Sequence, residues 1–147
     1  MQWPVGVGGK GNQGVAALIN QTPGTIGYVE YGFAMVTKLP MAILQNRDGG
    51  YAAATPESGA ATLSHLTLPA NLRAFDFDPM GKDSYPMVTF TWWLCRTHNT
   101  SPEVANEIKT VAKWCLGPGQ LLSAELGYIP LPKGVVERDL AALENLK

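Results

Sequence analysis

Residues 3–34 read WPVGVGGKGNQGVAALINQTPGTIGYVEYGFA and combine a glycine-rich loop, a short apolar run and a strand-like run. The loop passes directly into the apolar residues 15–19, which places its backbone N–H groups at a helix N-terminus, where anions bind readily. A loop of this kind ordinarily follows a buried strand, and only five residues precede Gly6. We therefore expect the chain to begin in the middle of a domain.

The composition allows one domain of ordinary size. The chain has 147 residues, 46% of them hydrophobic and 16% charged. The net charge of −1 provides no basic excess for the phosphates of a nucleic acid or for an anionic membrane surface, which argues against both as partners. No stretch approaches the roughly 20 apolar residues of a membrane span, and no signal peptide is recognisable at the N-terminus.

Apolar periodicity predicts a mixed α/β protein built from short elements. A first helix is predicted to be capped by Asn12 and to run through Ile19, after which Thr22-Pro23-Gly24 stops it. Residues 25–31 are predicted to form a strand, with Ile26, Tyr28 or Val29 buried. Residues 85–96 form the clearest predicted strand, whose alternation places four side chains on one face: Val88, Phe90, Trp92 and Leu94.

Three later helices are predicted, and two of them have recognisable start signals. Thr55 and Pro56 begin one of them, but Ser58 stands where a capping box has Glu, so we predict that the reciprocal half of the box is missing. Ser101 begins the next helix, whose predicted apolar face consists of Val104, Ile108, Val111, Ala112, Cys115 and Leu116. The last helix is predicted over residues 135–146, with Val136, Leu140 and Leu143 buried. Residues 33–38 fit either a helix or a crossing segment.

The glycine loop satisfies the spacing G-x-G-x-x-G over residues 6–11. A dinucleotide site also needs a preceding strand and an acidic residue about 20 positions later. The sequence offers no such strand, and Glu30 lies inside the strand-like run. Lys10 precedes Gly11 instead of Ser or Thr, which excludes a P-loop. A structural glycine turn that leads into a helix is the favoured interpretation.

Candidate catalytic groups are few. His65 near a helix end and His98 in a turn lack any recognisable nucleophile setting. Asp76 and Asp78 are close in sequence, but their loop is rich in Pro and Gly, and we interpret them as solvated. We therefore predict no catalytic residue, no metal site and no cofactor, and a protein that is not an enzyme.

Cys95 and Cys115 fit no metal-ligand spacing. We interpret the two cysteines as small, buried apolar side chains. The alternative is that they form a disulfide in an oxidising compartment. Trp92 and Trp93 are interpreted as core residues on the two faces of a buried strand, not as a stacking platform.

The run GVGGKGNQGVAALINQTPGTIGYVEYGFA resembles the second-lobe segment of the periplasmic phosphate-binding protein of bacterial phosphate ABC importers. That family shows W-P-x-G-x-G-G-K-G-N-x-G-[VI]-A and then P-G-x-I-G-Y-V-E-Y, and residues 3–31 match this pattern. Residues 85–89 resemble its late strand, and ELGYIPLP at residues 125–132 resembles its C-terminal signature. The resemblance covers the whole chain, and residues 56–72 are most similar to cyanobacterial or cyanophage forms.

The resemblance implies the C-terminal portion of a type II periplasmic-binding-protein fold, whose two lobes close on one phosphate and deliver it to ABC permease subunits. Residues 1–34 correspond to the end of lobe two, and residues 35–147 to the crossing segment and the returning part of lobe one. The family's phosphate ligands correspond to positions upstream of Trp3, so we expect this chain to lack the main ones. The full-length protein is expected to be periplasmic.

Two other functions stay open. One is a stand-alone protein-interaction module derived from the same fold. The other is an anion-using enzyme built on the glycine loop, which requires a reactive group near Lys10, and the sequence shows none.

Overall fold

A computed structural model describes residues 4–147, so Trp3 and the first two residues of the predicted 1–34 unit lie outside the described residues. Within this range the chain is a mixture of helices with a small sheet, consistent with the predicted α/β class. The elements are α1 (Gly11–Gln21), α2 (Tyr31–Val36), β1 (Leu44–Gln45), β2 (Tyr51–Ala52), α3 (Pro56–His65), α4 (Pro102–Leu116), a 3₁₀ turn (Pro118–Leu122) and α5 (Lys133–Leu143).

The N-terminal core lies between α1 and α2. It consists of Ala16, Ala34 and Leu39, against which Ile19 and Val29 pack. Residues 33–38 were predicted to be either a helix or a crossing segment, and the helix α2 covers the first part of this range. Its Ala34 lies in the N-terminal core.

Asn12 is not the cap of α1, and that prediction is wrong. Lys10 occupies the cap position without a side-chain hydrogen bond. The Asn12 Oδ1 instead accepts a hydrogen bond from the Glu30 backbone N–H at 3.0 Å. Asn12 therefore ties the first turn of α1 to the start of α2. The predicted stop signal is confirmed, because Thr22 is the C-terminal cap, although the helix continues two residues beyond Ile19, to Gln21.

The strand predicted at residues 25–31 does not form. Residues 26–29 make no backbone hydrogen bond within the described part of the chain, and Tyr31 belongs to α2. Side chains still alternate, because Val29 packs on the N-terminal core while Ile26 and Tyr28 are 95% and 75% exposed. The segment has a strand-like pattern but no strand beside it.

The prediction that residues 85–96 form a hydrogen-bonded strand is also wrong. The backbone groups of residues 86–95 make no hydrogen bond to any described residue. The predicted shared face is correct for Val88, Phe90 and Trp92, which all contribute to the C-terminal core. Leu94 departs from it and is 93% exposed. We call residues 25–30 and 86–95 the unpaired segments.

The two tryptophans have different environments. Trp92 packs against Phe75 with a ring-centroid separation of 4.8 Å, and its indole N–H donates to the Leu72 carbonyl at 3.3 Å. Trp93 points away and is 57% exposed. The interpretation as core residues is therefore correct for Trp92 and wrong for Trp93.

The C-terminal core brings α3 and α5 against the second unpaired segment. Its buried residues are Leu63, Leu68, Phe90 and Val135. The last helix buries Val135, whereas the predicted Val136, Leu140 and Leu143 are only half-buried.

α4 begins at Pro102 with Ser101 as its cap, as predicted. Of the predicted apolar face, Ala112 is buried as expected, but Val104 and Val111 are exposed, and Ala105, which was not predicted, is buried. Small residues allow α4 to approach α5 and the 3₁₀ turn closely, and this rotates the larger apolar side chains outward.

Both cysteines are free. Cys95 is half-buried and Cys115 is exposed, so the interpretation as two buried side chains is wrong. The alternative disulfide does not form either.

A complete capping box begins α3, which corrects the prediction of a missing half. The Thr55 side chain accepts from the Ser58 backbone N–H, and the Ser58 Oγ accepts from the Thr55 N–H at 3.1 Å. The Ser58 hydroxyl also donates to the Ala53 carbonyl at 2.6 Å. Ser is shorter than Glu, and it reaches these partners because it is buried against the preceding loop.

Asn46 holds the β1–β2 hairpin to the loop after residue 78. Its amide Nδ2 donates to the carbonyls of Gly81, Lys82 and Ser84 at 3.1, 2.8 and 3.0 Å. Its Oδ1 accepts from the Gly50 N–H at 2.9 Å. The residue is 5% exposed, so these bonds have little competition from water.

No helix in the part of the chain that the structure describes has both the length and the apolar character needed to cross a bilayer.

Asn46→Ala is expected to lower the free energy of unfolding by about 1–3 kcal/mol, because it leaves buried carbonyl groups without donors. Urea denaturation followed by tryptophan fluorescence measures the change. Asn106→Ala is the control, since Asn106 is an exposed residue of α4 and alanine favours helix. Equal unfolding midpoints for the two variants would contradict this role of Asn46.

Candidate functional site

The glycine loop leads into α1 as a structural turn. A Cβ atom at Gly9 would lie 2.6 Å from the Val15 backbone nitrogen, so the loop packs directly on the first turn of the helix. Lys10 is exposed, and no ionisable side chain other than Lys10 occurs in residues 4–11. This geometry supports the interpretation as a glycine turn and brings no reactive partner to Lys10.

A hollow of about 190 Å³ lies beside this region. Its walls come from the start of α2 and from the turn at residues 126–128, and its lining residues are Glu30, Gly32, Phe33, Val36, Leu126 and Tyr128. Its walls are mostly apolar, and Glu30 is its only acidic side chain. The hollow therefore suits packing between the start of α2 and the turn at residues 126–128 better than it suits binding of an anion.

The Glu30 carboxylate raises the pKa of the Tyr128 phenol, chiefly because the neutral phenol hydrogen-bonds to it and further because its negative charge disfavours a phenolate. Glu30 is also tied to α1 through the bond of its N–H to Asn12. Glu30 thus connects α1, α2 and the turn at residues 126–128.

A second hollow of about 340 Å³ lies beside the C-terminal end of α3. Arg47, His65 and Asp76 lie on its walls, and all three side chains are exposed. The Arg47 guanidinium donates to the Asp78 carbonyl at 3.3 Å. Charges of both signs around an open hollow do not form a selective site for an anion.

The structure brings His65 and Asp76 to one hollow, with Asp78 bonded to Asp76 and to Arg47 beside it, and it leaves His98 apart. His65 ends α3 as predicted. Asp76 accepts a hydrogen bond from the Asp78 N–H at 3.2 Å, which stabilises the loop turn. His98 lies in an exposed bend. Among residues 4–147, no cluster of three or more His, Cys, Asp or Glu side chains is arranged to hold a metal ion.

The sequence singled out Asn12 as a helix cap and Glu30 as an acidic residue after the glycine loop, but it did not predict their contact. Tyr128 and Gly127 meet Glu30 and Gly32 only through packing across more than 90 positions. The motif LGYIP at residues 126–130 offered one signal, because a glycine beside an aromatic residue in an extended link marks a close backbone approach.

Comparison with known proteins identifies relatives over nearly the whole chain. The phosphate-binding protein PstS of Pasteurella multocida is 32% identical over 140 residues, which are 94% of this chain and 41% of that protein. PstS of Xylella fastidiosa strain Temecula1 is 34% identical over 141 residues, 94% of this chain and 38% of that protein. PstS of Methanocaldococcus jannaschii is 33% identical and covers 100% of this chain and 42% of its own length. No protein-family model matches the chain.

These similarities confirm the resemblance to phosphate-binding proteins. The chain is PstS-like over nearly its whole length, and it spans about two fifths of the length of the curated relatives it matches. The matches include bacterial and archaeal relatives and leave the cyanobacterial resemblance of residues 56–72 a prediction.

Glu30→Gln is expected to lower the pKa of the Tyr128 phenol, because the substitution removes the negative charge and the strongest acceptor beside it. NMR titration of the tyrosine rings measures the shift, with Tyr128→Phe to assign the signal. Glu125→Gln removes the same charge outside the residues that line the hollow and serves as the control. An unchanged Tyr128 titration in Glu30→Gln would show that the two groups do not interact.

Proposed function

We propose that this chain serves as part of a phosphate-binding protein of an ABC-type phosphate importer, and that it is not an enzyme. In this proposal it forms the C-terminal portion of a type II periplasmic-binding-protein fold. Residues 1–34 belong to the second lobe, and residues 35–147 supply the crossing segment and the returning part of the first lobe. The protein works in the periplasm, where it captures inorganic phosphate and delivers it to permease subunits.

The proposal rests on the unpaired segments, which pack side chains on the cores but make no strand ladder. Residues 86–95 pack one face on the C-terminal core through Val88, Phe90 and Trp92, while their backbone bonds to no described residue. A strand in a sheet satisfies its N–H and C=O groups through neighbouring strands. This segment therefore has the packing of an inner strand without the neighbours that such a strand requires.

The first unpaired segment supports the same conclusion. Val29 lies against the N-terminal core, while Ile26 and Tyr28 project outward. Exposed apolar patches on this scale mark surfaces that another polypeptide covers. Strands from a further portion of the binding protein would pair with both segments and cover these side chains.

The phosphate ligands are assigned to that further portion. A buried phosphate is held by charge-assisted hydrogen bonds from Arg, hydroxyl and backbone N–H groups. Neither hollow described above combines such groups in an enclosed site. The residues of this chain would then contribute the scaffold and the crossing segment, and the ligands would come from outside residues 1–147.

A phosphate titration tests this division of roles. The 147-residue chain alone is expected to bind phosphate weakly or not at all in calorimetry. A chimera that carries this chain in place of the matching region of the Pasteurella multocida PstS is expected to bind phosphate tightly, because the remaining strands and ligands are then present. Sub-micromolar binding by the chain alone would overturn the assignment of the ligands, and a folded chimera without binding would overturn the proposed function.

The substitution Thr91→Pro tests whether residues 86–95 become a paired strand in the larger protein. Thr91 is exposed, and its N–H makes no hydrogen bond to any described residue, so proline removes no bond from the chain alone. In the chimera it deletes a ladder donor, and a central strand does not tolerate that loss. We expect the unfolding midpoint to fall much more in the chimera than in the chain alone.

Thr91→Ser is the matched control for that comparison, since it keeps the donor. Equal losses for Thr91→Pro in the chimera and in the chain alone would show that residues 86–95 do not become a paired strand.

A protein-interaction module derived from the same fold is the second candidate. The exposed apolar side chains of the unpaired segments favour it, because they also suit docking on another protein. A chimera that folds but does not bind phosphate, together with a stable and monomeric 147-residue chain, would favour this candidate.

A further inference from the structure

The chain contains two hydrophobic cores that share no residue. The N-terminal core is built on Ala16, Ala34 and Leu39, and the C-terminal core on a separate set that includes Leu63 and Phe90. Helix α2 connects them, because Ala34 lies in the N-terminal core while Gly32, two residues earlier, contacts the turn at residues 126–128.

The contact at Gly32 is a direct crossing of two backbones. A Cβ atom added to Gly127 would lie 2.5 Å from the Gly32 Cα, whereas ordinary van der Waals contact begins at 3.4 Å. A Cβ atom added to Gly32 would lie 3.4 Å from the Gly127 Cα and from the Leu126 carbonyl oxygen. Gly127 therefore has no room for a side chain, whereas a Cβ atom at Gly32 would be in ordinary contact and only a larger side chain there would force the two backbone segments apart.

Both sides of the crossing are anchored. On the first side, Asn12 of α1 binds the Glu30 N–H at 3.0 Å, directly before α2. On the other side, the Tyr128 N–H donates to the Ser123 carbonyl at 2.8 Å. Just after the crossing, Leu131 packs on the C-terminal core, and its N–H donates to the Gln120 side chain at 2.7 Å. The Gln120 side chain also donates to the Cys115 carbonyl at 2.8 Å, which connects the same anchor to α4.

We propose that the crossing of Gly32 and Gly127 is a pivot that sets the orientation of the N-terminal core relative to the C-terminal core. Each core is attached to one side of the crossing, so a change in the separation of the two backbones rotates one core against the other. The pivot is formed by residues of this chain alone and does not depend on phosphate binding. In the two-lobed protein proposed above, the pivot would lie at the joint between the lobes.

Gly127→Ala tests the pivot in the 147-residue chain. The added methyl group must move about 1 Å to reach a normal contact distance, and this displacement is amplified along α1. Spin labels at Gln13→Cys in α1 and at the native Cys115 in α4, in a Cys95→Ser background, report the distance by pulsed electron resonance. We expect the most probable distance to shift by more than about 1 Å, or its distribution to widen.

Gly24→Ala is the matched control. Gly24 has a φ of 80°, close to the 78° of Gly127, but a Cβ atom at Gly24 would meet nothing within 4 Å. The control therefore carries the same left-handed backbone strain without the collision. If Gly127→Ala and Gly24→Ala give the same distance distribution, the proposal is overturned.

A second pair of variants keeps the test decisive if Gly127→Ala does not fold. Gly32→Val places branched methyl groups at the crossing in a helical backbone, where no left-handed strain arises. Gly134→Val in α5 is its control, because a Cβ atom there also meets nothing within 4 Å. We expect the distance to change in Gly32→Val and not in Gly134→Val, and identical distributions would refute the pivot.

Discussion

Backbone hydrogen bonding is the constraint on which the architecture depends. Helices satisfy their own N–H and C=O groups, and they form here wherever the sequence supplies a start and a stop. Strands need neighbours, and the described chain provides a ladder only between Leu44–Gln45 and Tyr51–Ala52. The unpaired segments therefore keep the side-chain alternation of strands while their edges stay open. The exposure of Ile26 and Leu94 follows from the same shortage of neighbours.

The PstS similarity and the open edges have a common explanation in the proposed function. The chain spans about two fifths of the length of these relatives, and in the proposed two-lobed protein the remaining length would supply strands that pair with the unpaired segments. This explanation also accounts for the lack of an enclosed polar site among the described residues. Neither of the two hollows gathers the hydrogen-bond donors that a desolvated phosphate requires.

Local polar networks stabilise the parts that the two cores do not. The capping box of Thr55 and Ser58 sets the direction of α3, and Asn46 attaches the hairpin to the irregular loop that follows residue 78. Both devices satisfy buried backbone groups with short polar side chains. They allow a chain with little sheet to keep a defined path between its cores.

The sequence by itself determined the starts of α3 and α4, the stop signal after α1 and the shared face of Val88, Phe90 and Trp92, because caps, proline positions and alternation are local properties. Its motifs also carried the PstS resemblance. Only the tertiary structure decided that Asn12 binds Glu30, that α4 buries Ala105 in place of Val104, and that Gly32 crosses Gly127. These outcomes depend on which surfaces meet across long sequence separations, and a local pattern carries no information about that. The predicted strands failed for the same physical reason: alternation selects a face, but only a neighbouring strand makes a ladder.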